Sequence, residues 1–253
     1  MTTPSSTVQD LRTTILLHLL SVLQAAQVQE TPYCHFYLEN AFPEAIYPQM
    51  LAKLPDPETY RSGDPKRHTR EDGVVTKGVL PLTEDRLQRL PAGQRELWTA
   101  VWEALGSTEL QRLVFTMLAP DLSRRFRLSR DRVHEIVAYP RSSLVRSLGG
   151  YELPPHPDGS SKIVTMQFYL PRDLTQDDLG TAVYVRRLFR FQTLINPKSR
   201  FERVKQFPFR PNSGYGFAVS GTSFHGREAV PIDSGVRNTL IHVYFADPNK
   251  LAS

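Results

Sequence analysis

The sequence predicts an α+β chain rich in β structure, a β-sandwich or jelly roll with its helices gathered in the N-terminal half. Two observations predict it. Apolar residues recur at helical spacing before about residue 120, and after Pro140 the pattern changes to period two with β-branched and aromatic residues. Helices first and short strands afterwards is the order of an antiparallel β architecture covered by helices on one face.

Val8, Leu11, Ile15, Leu19, Val22 and Ala26 follow steps of three and four, so they share one side of a first helix that is expected to cover the outside of a sheet. His35-Phe36-Tyr37-Leu38 reads as a short strand, and Phe42 to Tyr47 begins a helix that stops near Pro55. Residues 61–77 are polar and broken by Gly63, Pro65 and Gly73, which predicts an exposed loop or a lid over a site. Gln94 to Leu105 and Ser107 to Leu118 are helical by period, and packing accounts for Trp98 and Trp102. Strands are expected over Lys162 to Leu170, Thr181 to Phe191, Gly214 to Val219 and Arg237 to Phe245, with turns at residues 210–214 and 220–221 between them.

A chain of 253 residues can be one domain with a substantial core. The charge of +5, from 31 basic and 26 acidic residues, is a modest excess without a basic run interleaved with aromatics, so no nucleic-acid partner is expected. Cys34 stands alone, which excludes an intramolecular disulfide and a Cys-based zinc site and suits a reducing, cytoplasmic setting. The apolar run Ile15 to Leu20 is too short to span a bilayer and is interrupted by His18, so no membrane association is expected.

Chemistry concentrates around Gly150-Tyr151-Glu152-Leu153-Pro154-Pro155-His156-Pro157-Asp158-Gly159. Pro157 biases His156 to extended backbone, so His156 and Asp158 can project to one face and grip one ion. Taken alone, the pair also reads as a turn histidine with a capping aspartate. His225 follows 69 residues later in Ser223-Phe224-His225-Gly226-Arg227. Two histidines and a carboxylate on one side of a metal, with open positions opposite, form the donor set of non-haem Fe(II) oxygenases. Arg237 comes 12 residues after His225, and Arg237 and Thr239 share a strand face on which a guanidinium fork and a hydroxyl can meet one carboxylate.

His156-X-Asp158, His225 and Arg237-X-Thr239, together with Leu179-Gly180-Thr181-Ala182 and Asn212-Ser213-Gly214-Tyr215-Gly216-Phe217, resemble the Fe(II)- and 2-oxoglutarate-dependent oxygenases, particularly the prolyl-hydroxylase-like branch. The resemblance covers about residues 134–245. It implies a double-stranded β-helix over residues 134–247, supported by a mainly helical part over residues 1–133. It further implies Fe(II) on His156, Asp158 and His225, with 2-oxoglutarate held at its distal carboxylate by Arg237 and Thr239, and Tyr169 and Gln167 as further hydrogen-bonding residues. The activity implied is a dioxygenase that uses O2 to hydroxylate an unactivated C–H bond of a small molecule such as an amino acid, releasing succinate and CO2. Peptidyl prolyl or side-chain hydroxylation stays open beside it, as do a non-redox jelly-roll binding protein and a cupin-like isomerase or lyase.

Two departures from the family's patterns narrow the reading. Val243 stands where the nucleic-acid demethylases carry a second arginine, which disfavours base repair. Asp158 stands where the halogenases have a small residue, which favours hydroxylation. Tyr151, Tyr139, Arg146 and Arg186 are the candidates for substrate contact, with Arg187 beside Arg186, while His242 and His134 are expected to be packed or to line the cavity.

Overall fold

The computed structural model describes residues 6–187, 200–247 and 249. Helix α1 (Ser6–Ala25) buries Val8, Ile15, Leu16, Leu19 and Leu23. Its main packing partners are two other helices, α5 (Ala92–Leu105) and α6 (Thr108–Met117), so it forms an outer layer over helices where the sequence suggested an outer layer over a sheet. Trp98 is fully buried in α5 and donates through Nε1 to the Lys53 carbonyl at 2.7 Å, which resolves the polar handle of an otherwise apolar ring. Ser107 caps α6 by accepting from the Leu110 amide. The remaining helices are short: α2 (Tyr47–Ala52), α3 (Pro65–His68), α4 (Glu84–Leu87) and α7 (Ala119–Phe126), which follows α6 almost without a break.

Among the described residues twelve strands build two antiparallel sheets. The larger runs β1 (Val28–Gln29), β2 (His35–Leu38), β10 (Gly214–Ala218), β7 (Lys162–Tyr169), β12 (Arg237–Phe245), β5 (Tyr139–Ser147), β4 (Lys77–Leu82) and β3 (Arg61–Ser62). The smaller runs β6 (Leu153–His156), β11 (His225–Arg227), β8 (Ala182–Arg186) and β9 (Phe201–Gln206). The strand expected over Thr181 to Phe191 is seen as β8, and residues 188–191 lie outside the described residues. Strand β9 had no expectation, since Phe201-Glu202-Arg203-Val204-Lys205-Gln206 shows a polar surface to both pattern and solvent.

Strand β7 explains the layering. It is buried on both faces, so its text is near-continuous apolar while its side chains still alternate. Val164, Met166 and Phe168 enter the cluster shared with the helices, and Tyr169 enters a second cluster with Val183, Phe207, Phe209, Tyr215 and Phe217 between the two sheets. Thus the helices cover one face of the large sheet and the small sheet covers the other. The first half of the chain does more than support this core, because β1 to β4 extend the large sheet at both edges. The stretch expected to be a polar loop, residues 61–77, carries β3, α3 and a bridge between Thr69 and Val75, with Lys77 opening β4.

Candidate metal centre and its cavity

His156 and His225 are direct cross-strand partners on β6 and β11. Such pairs bring Cβ atoms to about 5 Å, and the two imidazole centroids lie 4.6 Å apart. Asp158 follows two residues after His156, and ligand atoms of all three side chains fall within 4.8 Å of one another, an arrangement able to hold a metal ion. His156 Nδ1 donates to the Pro154 carbonyl at 2.9 Å and His225 Nδ1 donates to the Ser223 carbonyl at 3.0 Å. A carbonyl can only accept, so each Nδ1 carries a proton and Nε2 is the ring nitrogen left to face the cluster.

Asp158 is held from the other side. Lys162 Nζ donates to Oδ1 at 2.6 Å and Thr165 Oγ1 donates to Oδ2 at 2.7 Å. Burial pushes this carboxyl up, but Lys162, His225 and Thr165 outweigh it and keep the carboxyl below its ordinary range, so it is anionic. Burial pulls His225 down to about 4 against the attraction of Asp158, leaving a neutral imidazole 4.0 Å from that carboxylate. A neutral His225 imidazole and an anionic Asp158 are the protonation states a divalent cation requires of these two groups.

The cluster opens into a cavity of about 630 Å³ between the two sheets. Arg237 reaches it from β12 and is 3% exposed. Its Nε donates to the Leu179 carbonyl at 2.8 Å, and the guanidinium lies between the rings of Phe209 (4.5 Å) and Tyr169 (5.4 Å). So fixed, it keeps Nη2 buried without a partner. Arg227, two residues after His225 on β11 and 5% exposed, leaves both Nε and Nη2 without partners. Burial and the neighbouring Arg237 push Arg227 down to about 10, and burial lowers Arg237 as well. Ser147 Oγ and His68 Nδ1 are further buried, unpartnered atoms on the same cavity wall. Unpartnered buried cations are costly by several kcal/mol each, and an anionic ligand removes that cost.

The other expected site residues divide. Gln167 lines the cavity, and its amide donates to Thr239 and accepts from Thr181 and Tyr215. Thr239 is fully buried and accepts from Gln167 Nε2 at 3.2 Å. Tyr169 lies beneath Arg237, with its hydroxyl taken by the Thr181 amide at 3.0 Å. Tyr151 lines the cavity. Arg146 does not: alternation on β5 sends Val145 and Ser147 inward and Arg146 outward, over the ring of Tyr60 at 5.5 Å. Tyr139 sits at the far end of β5 in a separate groove with Trp102, and Arg186 is exposed at the end of β8. His242 is buried against Ser142 and Tyr244, whereas His134 is exposed in a 3-10 turn. Lys77, Arg227, Lys162 and Thr165 went unforeseen. Arg227 was legible from its spacing, since a residue two after a strand ligand shares that ligand's face.

No protein-family model and no curated protein matches the sequence. Solved structures do match. An oxidoreductase of the 2OG-Fe(II) oxygenase family from Burkholderia pseudomallei aligns over 92% of this chain and 91% of its own at 14% identity, with a TM-score of 0.50. The dioxygenase for auxin oxidation 1 from Arabidopsis thaliana, solved as a binary complex with 2-oxoglutarate, aligns over 94% of both chains at 12% identity, also with a TM-score of 0.50. At these identities the likeness is one of fold, and the chain has the mixed helix and antiparallel-sheet fold of the 2OG-Fe(II) oxygenases.

Proposed function

We propose that this chain is an Fe(II)- and 2-oxoglutarate-dependent dioxygenase built on a double-stranded β-helix, and that it hydroxylates an unactivated C–H bond of a small molecule with release of succinate and CO2. The observation that carries the reading is the coexistence, in one cavity, of the His156, Asp158 and His225 cluster with a buried arginine, Arg237, whose Nη2 has no partner. A jelly-roll binding protein or a cupin-like isomerase has no need of a carboxylate anchor at that place.

His156, Asp158 and His225 would hold Fe(II), and Arg237 would hold the distal carboxylate of 2-oxoglutarate. When bound, the iron and 2-oxoglutarate supply the oxidising power for C–H cleavage, drawn from O2 and oxidative decarboxylation. The chain's own residues do the rest. The Pro154 and Ser223 carbonyls fix both histidine tautomers, and Thr165 and Lys162 orient Asp158 and keep it ionised. Tyr169 and Phe209 stiffen Arg237, and Val145, Leu153 and Ile241 give the cavity an apolar wall that limits water.

Protein loaded with Fe(II) without oxygen should develop a weak visible charge-transfer band only on addition of 2-oxoglutarate, and should release succinate in air. Absence of both would sink the proposal. His156→Ala or Asp158→Ala should abolish turnover, and full coupled activity in either variant would remove the ligand assignment.

A further inference from the structure

We infer that the substrate of this site is a small organic acid whose carboxylate is held by the Arg227 fork, in a cavity that also presents Lys77 unpaired. The inference rests on the oxygenase reading and adds to it the chemical class of the substrate. Among the described residues the cavity wall presents Arg67, Lys77, Lys162, Arg227 and Arg237 against Glu152 and Asp158. Lys162 is engaged by Asp158, and Arg67 is largely exposed and faces Asp64 at 3.5 Å. With Arg237 given to the cosubstrate, Arg227 and Lys77 remain. Glu152 is exposed and bonds to neither of them among the described residues.

The two remaining cations come from opposite walls. On the large sheet Lys77 lies directly opposite Ser147, and Ser147 directly opposite Arg237. Three side chains in one cross-strand row share a face, so Lys77 stands about 10 Å from Arg237 at the Cα level, two strand spacings away. Lys77 Nζ has no hydrogen-bond or ion-pair partner among the described residues, and lies 6.0 Å from the centre of the Tyr151 ring. On the small sheet Arg227 shares the face of His225. Its free donors, Nε and Nη2, are the adjacent pair on one edge of the guanidinium, which is the fork that grips a carboxylate with two parallel bonds. Its third nitrogen, Nη1, is tied to the Gly180 carbonyl at 3.5 Å, so the fork is aimed.

A neutral substrate would leave that fork buried and unpaired; a carboxylate satisfies it. The sequence reading placed an acid-binding role on Arg146 and Arg186, which face away, and the structure moves that role to residues that face the cavity.

The test is calorimetric titration of the full chain, loaded with Fe(II) and 2-oxoglutarate without oxygen. The probes are benzoate, phenylacetate and N-acetylproline, each beside its primary amide. Acids should bind at least about tenfold more tightly than their amides, the scale of a charge-assisted bidentate pair. That preference should collapse toward one in Arg227→Gln, fall less in Lys77→Met, and be partly restored in Arg227→Lys, which returns the charge without the fork. A wild-type ratio near one, failure of every acid to bind in the millimolar range, or a ratio unchanged in Arg227→Gln would overturn the inference. The wild-type comparison needs no variant to fold. The charge-transfer band is a separate readout: band present with the acid preference absent removes the acid site alone, and band absent with the preference kept removes the oxygenase reading alone.

Discussion

Thr165 shows how much of the site depends on single atoms outside the ligand set. Its hydroxyl and Lys162 fix both oxygens of Asp158, and loss of such an orienting bond typically weakens metal binding by about 10- to 100-fold. Thr165→Val keeps the shape and removes the bond, so Mn(II) affinity measured by titration should fall by about that factor. Arg237→Leu should act on the other half of the site. It should raise the 2-oxoglutarate concentration needed for the charge-transfer band by at least about tenfold, while leaving Mn(II) affinity in the absence of cosubstrate within about twofold, since Arg237 contacts none of the three ligands. His156, Asp158 and Arg237 were legible because spacing on an extended chain fixes which face a residue takes. Lys77 was not, because nothing local in residues 61–77 says that β4 will place it opposite Ser147.

Elements show the same division between local and long-range information. Strand β12 runs over Arg237–Phe245 as read, and β2 over His35–Leu38, because β12 carries β-branched and aromatic residues and β2 two adjacent aromatic ones, each between clear breakers. Strand β5 had no bounded expectation beyond the period-two pattern after Pro140, and its inner and outer faces were not separable, since Leu144 packs against helices while Val145 faces the cavity and both are buried. That ambiguity is what misplaced Arg146. Gly180 makes the packing of β8 on β9 testable: a Cβ there would lie 1.5 Å from the Phe207 carbonyl oxygen, whereas a Cβ at Gly221 meets nothing within 4 Å. Gly180→Ala should therefore lower unfolding stability by about 3 kcal/mol or more, and Gly221→Ala should stay within about 0.5 kcal/mol. Urea denaturation of the two variants side by side checks this.

At the scale of the whole molecule, stability should carry the signature of His242. Burial pulls this histidine down to about 3, far below the roughly 6.5 it has in an unfolded chain. The folded state therefore refuses a proton that the unfolded state accepts. The contribution is full above about pH 6.5 and is lost as pH falls from there toward 3, at up to about 1.4 kcal/mol per pH unit. His242→Gln should flatten the pH dependence of denaturation in that window, and an unchanged slope would show that other groups set it. Among the described residues no helix is long and apolar enough to cross a membrane. The broad order of helices then strands was legible from periodicity alone. The two-sheet arrangement that sets His225 beside His156 depends on pairings between segments about 70 residues apart, which no local pattern encodes.

Strand β6 is the edge of the small sheet, and Pro154 and Pro155 leave it short of amide donors. An ion shared by His156 on this edge and His225 on the next strand would act as a cross-link where the ladder is weakest. Site occupancy and edge fraying are then one equilibrium, because opening β6 must release the ion. Amide hydrogen exchange in β11 should slow on Mn(II) addition while exchange in β12 stays as it was, so that the chain's metal affinity could be read from the breathing of one strand.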